Sequence, residues 1–340
     1  MSQWFKENAD GYTIGGNLIS HFNHSLNYSY YSSDRDNFGP NSWDNYKAKG
    51  QRQSLLYKAS KRLADNYNFV GGIDFTEDKA LISNNNKSSD LMGLFVENIF
   101  DLENNLTFTL GARQDSHSKF GDQTVYRGTF ALSRNNITYK GSLGTGYRAP
   151  SLYELFATTY GNESLKPETS QNIDLGITTN FFESKMKFSG NIFTNTINDR
   201  IDFSGGGYNQ VSTEEKRQGV EIDIDYKISN KYDSKISFTN ITDHDGDHVR
   251  KIPKNKLSYT LNSKISEKWR NLSTLTYVSD LKDTVMLPDY NLINTKFIYK
   301  LDNDYYINIR VENLLDEQYQ LVNNYATADR SFYIGIDGEF

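Results

Sequence analysis

Stretches of about ten residues in this chain alternate apolar and polar side chains, the period of a strand whose two faces meet different surroundings. The carboxy-terminal stretch shows it most cleanly. Phe332, Ile334, Ile336 and Phe340 share one parity, and Ser331, Tyr333, Asp337 and Glu339 share the other. Tyr305, Ile307, Ile309 and Val311 likewise oppose Tyr306, Asn308, Arg310 and Glu312, and Val220, Ile222, Ile224 and Tyr226 oppose Glu221, Asp223, Asp225 and Lys227. One face is greasy and the other charged. About seventeen strands can be read in this way.

The links between them alternate in length. Short links at Ser20 to Asn23, Leu63 to Asp65, Asp101 to Asn104, Ser133 to Asn136, Phe182 to Ser184, Ser229 to Tyr232, Ser266 to Glu267 and Asp302 to Asn303 interleave with mostly longer polar ones. The longer set includes Ser33 to Lys49, Glu77 to Ser89, Tyr147 to Lys166, Thr242 to Lys251 and Leu315 to Asp329. Tight turns at one end and loops at the other are the arrangement of a transmembrane barrel, whereas a soluble sandwich with Greek-key crossings has no reason to keep it. The fold predicted is all-β, an antiparallel transmembrane β-barrel occupying residues 1–340 as one domain. All five prolines (Pro40, Pro150, Pro167, Pro253, Pro288) fall in long links or at strand starts, as the missing ladder donor requires. Phe22, Phe181, Phe182, Trp269 and Tyr305 lie near short links, where an interfacial girdle or ordinary packing beside a turn would each place them.

Composition removes the other classes. Aromatics reach 14%, with 24 Tyr and 20 Phe, although mean hydropathy is -0.69. Strand formers of this kind recur throughout, which a disordered chain lacks. The best apolar run, Leu91 to Val96, is far short of the ~20 residues of a membrane helix. Net charge is -6, with both signs interspersed, so there is no electrostatic footprint for nucleic acid. No cysteine is present, which excludes thiolate metal sites and thiol nucleophiles. The first residues do not read as a signal peptide. An odd strand count is unusual for a bacterial barrel with both ends in the periplasm, so the chain is expected to begin within the barrel.

From about Gly144 onward four ordered motifs resemble the TonB-dependent receptor family. They are Gly144-Thr-Gly-Tyr-Arg-Ala-Pro-Ser-Leu-Tyr-Glu-Leu-Phe156 with Gly161-Asn-Glu-Ser-Leu-Lys-Pro-Glu168, Arg217-Gln-Gly-Val-Glu221, Val311-Glu-Asn-Leu-Leu-Asp-Glu-Gln-Tyr319, and Asp329-Arg-Ser-Phe-Tyr-Ile-Gly-Ile336 before Phe340. Within the family the chain is most like vitamin B12 (cobalamin) transporters; siderophore receptors share most of the same residues. The resemblance implies a barrel of about twenty-two strands around an amino-terminal plug, with neither plug nor TonB box visible here. It assigns a structural part to Tyr147, Arg148, Pro150, Asn162, Leu165, Lys166, Pro167, Glu168, Gly219, Glu221, Asn313, Leu314, Asp316, Tyr319 and Arg330. The Asn313 to Asp316 group with Tyr319 is expected to fold the last outer loop back onto the rim, and Phe340 resembles the signal read by the barrel-assembly machinery.

The function implied is active uptake of a large, scarce nutrient, cobalamin or an iron-siderophore complex, from the bacterial outer membrane. Its partners would be outer-membrane lipid, that ligand, and the TonB complex acting through the plug. By residue type and loop position, Tyr153, Tyr160, Tyr208, Asn323 and Tyr325 are the candidates to touch a large, partly apolar ligand. The rival readings are a plugless passive pore or nonfunctional barrel fragment, a rim hydrolase, and a soluble binding protein.

Other chemistry is thin. Asp243-His-Asp-Gly-Asp-His248 places Asp243, Asp245 and Asp247 around a glycine, but lacks the downstream glutamate that closes an EF-hand loop. The five histidines do not converge in sequence on a nucleophile, and no enzymatic activity and no cofactor are expected. Gly205-Gly-Gly207 has no Rossmann strand before it and reads as a flexible outer loop.

Overall fold

The structure, a computed structural model, describes residues 4–39, 46–82, 85–301 and 305–338. In chain order they form β1 (Trp4–Ile19), β2 (Asn23–Phe38), β3 (Tyr46–Ala64), β4 (Tyr67–Ile82), β5 (Asn85–Leu102), β6 (Leu106–His117), β7 (Gly121–Arg134) and β8 (Ile137–Arg148). A short helix α1 (Leu152–Phe156) precedes β9 (Glu168–Phe181), β10 (Met186–Asn198), β11 (Ile201–Ser204), β12 (Gly207–Gln210) and β13 (Glu215–Lys227). The remainder is β14 (Tyr232–Asp243), β15 (Pro253–Lys264), β16 (Trp269–Lys282), β17 (Met286–Leu287), β18 (Tyr290–Lys300), β19 (Tyr305–Glu312) and β20 (Ser331–Gly338). Setting aside the small β11–β12 hairpin and the two-residue β17, seventeen long strands remain among the described residues.

Packing divides the chain into two units, one of Met1–Ala131, Ser142–Asn172 and Thr196–Glu215, the other of Leu132–Gly141, Ile173–Asn195 and Lys216–Phe340. In the first, β1 through β6 pair antiparallel in sequence order. In the second, β13 to β16 and then β18 to β20 form the same kind of meander. The alternation is kept across the registers. Ile224 faces Ile236, which faces Tyr259, which faces Leu275, while one residue along Asp225, Lys235, Thr260 and Thr274 line the opposite face.

The apolar rows are not covered by protein. Ile334 and Ile336 are 79% and 73% exposed, and Tyr12, Ile14, Leu94, Leu110, Leu143 and Ile192 all exceed half. No soluble domain leaves such contiguous rows in water, and hydrocarbon is the environment they fit. Short links turn tightly: Asn104, Asn105 and Asn135 adopt left-handed φ, and so do Phe182, Glu183 and Ser184. Rings cluster near these ends, with Trp269 and Tyr299 4.7 Å apart and Tyr67 and Phe100 stacked at 4.8 Å.

Two long links expected from the sequence are strand instead. β2 and β3 pair from Asn23↔Ser60 out to Asn37↔Tyr46, and β4 and β5 out to Ile82↔Asn85, so most of Ser33 to Lys49 and Glu77 to Ser89 is hairpin. The residues are polar on both faces because this part of the ladder stands outside the lipid. A membrane strand needs about 9–11 residues, and β1 to β5 have 16 to 19. Cross-strand ion pairs hold the extension together, Lys49 to Asp34 at 2.6 Å and Arg52 to Asp78 at 2.6 Å. Phe340 and Pro40 lie outside the described residues.

A lipid-facing charge tests the assignment of faces. Ile236→Arg is expected to destabilise the vesicle-embedded protein by about 2–4 kcal/mol, and Ser237→Arg on the other face by much less. Denaturant titration of both variants in bilayers measures the difference; equal costs would contradict the assignment.

Candidate functional site

Most of the buried apolar residues of the first unit gather not among its long strands but beside the outer ends of β8 and β9. Leu155, Leu165 and Ile201 form a small core, with Phe120, Phe156 and Tyr208 packed against it. Three segments meet here: the loop 149–167 with α1, the β11–β12 hairpin, and the outer ends of the strands.

Local sequence explains how each is held. Ser151 and Glu154 form a capping box, Ser151 Oγ accepting from the Glu154 N–H at 3.2 Å and Glu154 Oε2 from the Ser151 N–H at 2.7 Å. Gly161 then folds back on the end of α1, donating its N–H to the Ala157 carbonyl at 2.7 Å. A Cβ at Gly161 would lie within 2.6 Å of the Ala157 nitrogen, so only glycine fits. Asn162 caps its own turn through Ser164 and donates Nδ2 to the Tyr208 carbonyl, while the Lys166 N–H reaches Gln210. Gly205 and Gly206, with φ of 63° and 87°, make the two-residue turn of the β11–β12 hairpin. The flexible loop expected there is therefore an ordered hairpin, because paired left-handed glycines match the twist of the strands they join.

One guanidinium ties the assembly to the strands. Arg148 donates Nε to Glu168 at 2.7 Å and Nη1 to both oxygens of Glu154, at 3.0 and 3.2 Å. Glu168 spends its other oxygen on the Ile201 N–H at 2.6 Å. Strand, helix and hairpin thus converge on three side chains. Burial alone would push the Glu168 carboxyl up, but the hydrogen bonds from Arg148 and Ile201 and the charges of Arg148 and Arg200 outweigh it and hold it below the ordinary range. Pro150 and Leu165 are buried, and Pro167 is half-buried.

On this platform stand four aromatic rings in series. Tyr153 meets Tyr208 edge-on at 6.1 Å, Tyr208 meets Phe203 at 5.3 Å, and Phe203 meets Tyr160 at 5.5 Å. Tyr153, Tyr160 and Phe203 are each more than two-fifths exposed. Close by, the Lys87 and Lys119 ammoniums sit 4.1 and 4.8 Å from the Phe156 ring. The structure thus brings together three of the five candidate contact residues. Phe203, Phe156, Lys87 and Lys119 escape the sequence reading, since only the hairpin pairing and the return of distant strands place them here.

Asn323 and Tyr325 belong to the second unit. Asn323 donates its N–H to the buried Asp283 at 3.0 Å and Nδ2 to Thr284, and Tyr325 stands 70% exposed. Their loop is stitched by the motif residues. Asn313, buried, holds Glu317 through both ends of its amide, Asp316 accepts the Arg330 N–H at 2.8 Å, Leu314 donates to the Ile293 carbonyl, and Tyr319 packs on Tyr290 at 4.6 Å. Gly219 has no room for a Cβ against the Asn240 carbonyl and the Phe193 ring. Glu221 lies on the charged face opposite Thr239, and the Tyr147 hydroxyl is enclosed without a hydrogen-bond partner among the described residues.

The acidic loop is organised by its own bonds. Asp243 Oδ1 accepts the N–H groups of both Asp245 and Asp247, and Asp247 binds His248 at 2.6 Å and lies 3.7 Å from Lys282. Asp243, His244 and Asp245 do approach within 4.8 Å, but Asp247 turns to His248 and Lys282 instead. His244 and His248 each contact a neighbouring aspartate, and neither is joined to a serine or another nucleophile in the bonds described.

With this geometry in view the family is plain. Residues 2–314 match the family described as TonB dependent receptor-like, beta-barrel, and the chain belongs to it, an antiparallel β-barrel of the outer membrane. The vitamin B12 transporter of Vibrio cholerae is 24% identical over 337 residues, covering 88% of this chain and 52% of that protein. An iron-regulated outer membrane virulence protein of the same species is 24% identical over 287 residues, covering 72% of this chain and 44% of its own length. Among solved structures, a ferric enterobactin receptor of Pseudomonas aeruginosa superposes with a TM-score of 0.84 at 18% identity, covering 99% of this chain and 62% of that one. A siderophore receptor of Acinetobacter baumannii gives 0.83 at 16%, covering 99% and 63%. The chain spans about half the length of the curated relatives it matches.

The Arg148 hub makes a pH prediction. Because the folded pKa of Glu168 lies below its unfolded value, its stabilisation is complete above the ordinary carboxylate pKa of about 4.3 and is lost as pH falls through the lowered value. Protection factors against hydrogen exchange in 152–156 should therefore fall as the solution is acidified below about pH 4. Glu168→Gln should exchange faster at neutral pH and lose most of that dependence. Arg148→Met should loosen the loop by on the order of 1 kcal/mol, allowing for the half-exposed guanidinium; unchanged exchange would remove the hub from the account.

Proposed function

We propose that this chain is the barrel part of an outer-membrane receptor for active uptake of a large, scarce nutrient, cobalamin first and an iron-siderophore complex second. The observation that carries the reading is the row Tyr153, Tyr208, Phe203 and Tyr160, exposed except for the half-buried Tyr208, on a platform fixed by Arg148, Glu154 and Glu168. Exposed rings on a rigid base present large contact area at small entropic cost, which suits a bulky ligand with apolar and polar edges. Membership of the TonB-dependent receptor family supports transport in preference to catalysis, and so do the names of the relatives.

In this reading the barrel is passive. Its apolar rows sit in outer-membrane lipid, its outer rim captures the ligand, and the TonB complex opens the way by drawing on a plug outside this chain. The motif residues shape the rim, Asn323 and Tyr325 add a second contact area, and Phe340 serves the assembly machinery.

Uptake of labelled cyanocobalamin and of ferric siderophores by cells carrying the full-length receptor tests this. Tyr153→Ala and Phe203→Ala are each expected to weaken binding about five- to thirtyfold, the loss of one well-packed ring. If both substitutions leave binding of both ligand kinds unaltered, the aromatic row is not the capture site.

A further inference from the structure

The short links of the second unit carry a regularity that the uptake reading does not use. Three of them, 182–185, 228–231 and 265–268, end in lysine: Lys185, Lys231 and Lys268. Each of those lysines accepts, through its carbonyl, the N–H of the lysine that ends a neighbouring strand. Lys227 donates to Lys185 at 2.7 Å, Lys264 to Lys231 at 2.7 Å, and Lys300 to Lys268 at 2.8 Å. The ladder is therefore carried one step past Tyr232↔Ser263 and Trp269↔Tyr299, and the step it adds sets lysine against lysine. Lys264 also faces Arg270 on its other side, so Lys231, Lys264 and Arg270 form one cationic row across three strands.

Like charges directly opposite one another on paired strands are destabilising. Elsewhere the protein neutralises such positions: Lys47 and Lys49 at the far end of β3 face Asp36 and Asp34 and bind them. Here the neutralisation is only partial. Glu267 binds Lys264 at 2.8 Å, Asp223 binds Lys235 at 3.2 Å and Asp233 is the register partner of Lys227, but Lys185, Lys187, Lys231, Lys268 and Lys300 have no salt bridge among the described residues. This occurs in a chain whose net charge is -6.

The face is defined as well. Lys227 and Lys264 continue the polar rows of β13 and β15, and Lys300 that of β18, while Ile228, Ile265 and Leu301 beside them continue the apolar rows and stand exposed. The cations are thus on the side away from lipid. Between two of the links a cleft of about 300 Å³ opens, with Lys185, Lys187, Lys227 and Lys235 on its walls and Asp225 and Asp233 among them.

We infer that this lysine row is a docking surface for an acidic polypeptide segment at the short-link, periplasmic end of the sheet. Spaced carboxylates on an extended chain complement cations spaced by the strand separation, and binding relieves the repulsion that the register imposes. The polar face favours a peptide over lipid headgroups, which would meet the apolar face.

The test uses the full chain in micelles of a neutral-headgroup detergent and a fluorescein-labelled oligoglutamate, read by anisotropy at low and raised salt. Saturable, salt-sensitive binding is expected, weakened at least about tenfold by the combined charge reversal Lys231→Glu, Lys268→Glu and Arg270→Glu. Glu267→Gln, which removes a competing carboxylate, should tighten it, and Lys47→Glu with Lys49→Glu on β3 of the first unit should leave it unaltered. Heat-modified gel mobility checks that each variant is folded. The inference is overturned if oligoglutamate does not saturate, if the β3 variant loses as much, or if the reversal abolishes binding to phosphatidylglycerol micelles and spares the peptide.

Discussion

Everything in this protein follows from the absence of water beside its strands. In hydrocarbon an unpaired N–H or C=O costs several kcal/mol, so backbone groups must be satisfied by neighbouring strands. That demand explains the long registers, each strand pairing with the next through β1 to β6, with one shift between Arg62 and Ala64, and again through β13 to β16. It also frees the side chains from making a core. Ile334, Phe332 and Ile14 point outward, and no described side chain is fully enclosed.

Apolar packing is consequently displaced to where water returns. The small cluster of Leu155, Leu165 and Ile201 lies beyond the long strands, and the buried Leu281, Leu287 and Tyr290 of the second unit lie at the end of β16, in the short β17 and at the start of β18. At this level loops can no longer rely on ladder pairing, and short-range devices take over: a capping box, an Asn162 turn, a glycine hairpin, and the buried amide of Asn313. Arg148 matters because it is the place where these devices are joined to the ladder. Its charge is shared between Glu154 from the helix and Glu168 from the strand, and Glu168 passes the connection to Ile201 of the hairpin. The aromatic rings inherit rigidity from that chain of bonds.

The strands were legible in the sequence because period-2 alternation survives wherever one face meets lipid and the other meets water. β13, β19 and β20 fall where the alternation of Val220 to Tyr226, Tyr305 to Val311 and Phe332 to Ile336 placed them. The outer parts of β2 to β5 were misread as loops for the same reason: beyond the lipid both faces are polar and the signal vanishes while the pairing continues. Ser151-x-x-Glu154 has the spacing of a capping box, a local signal that needs no tertiary contact to be legible. Three tyrosines of the rim row could be guessed by type and position, but Phe203 could not, because its place beside Tyr208 depends on a hairpin whose strands are four residues each. Lys87 and Lys119 were harder still, lying far back in the chain from the ring they cover.

The outer ladder of the first unit and the short-link ladder of the second treat charge differently, and the contrast bears on what each is for. At the long-strand end, cations and anions are register partners, so the ladder extends into water without net repulsion and needs nothing further to be stable. At the short-link end of the second unit Lys227 still faces Asp233, but the steps Lys185 to Lys227, Lys231 to Lys264, Lys264 to Arg270 and Lys268 to Lys300 oppose cation to cation. A register shift of one residue would relieve this but would turn every apolar side chain to the wrong face. The lipid-facing pattern therefore fixes the register, and the register fixes the lysines opposite one another. Glutamate in place of Lys231 or Lys268 would remove the repulsion without touching the lipid face. That the sequence holds lysine at both is hard to ascribe to the fold's own stability, and it makes the charge of that rim a property directed outward from the chain.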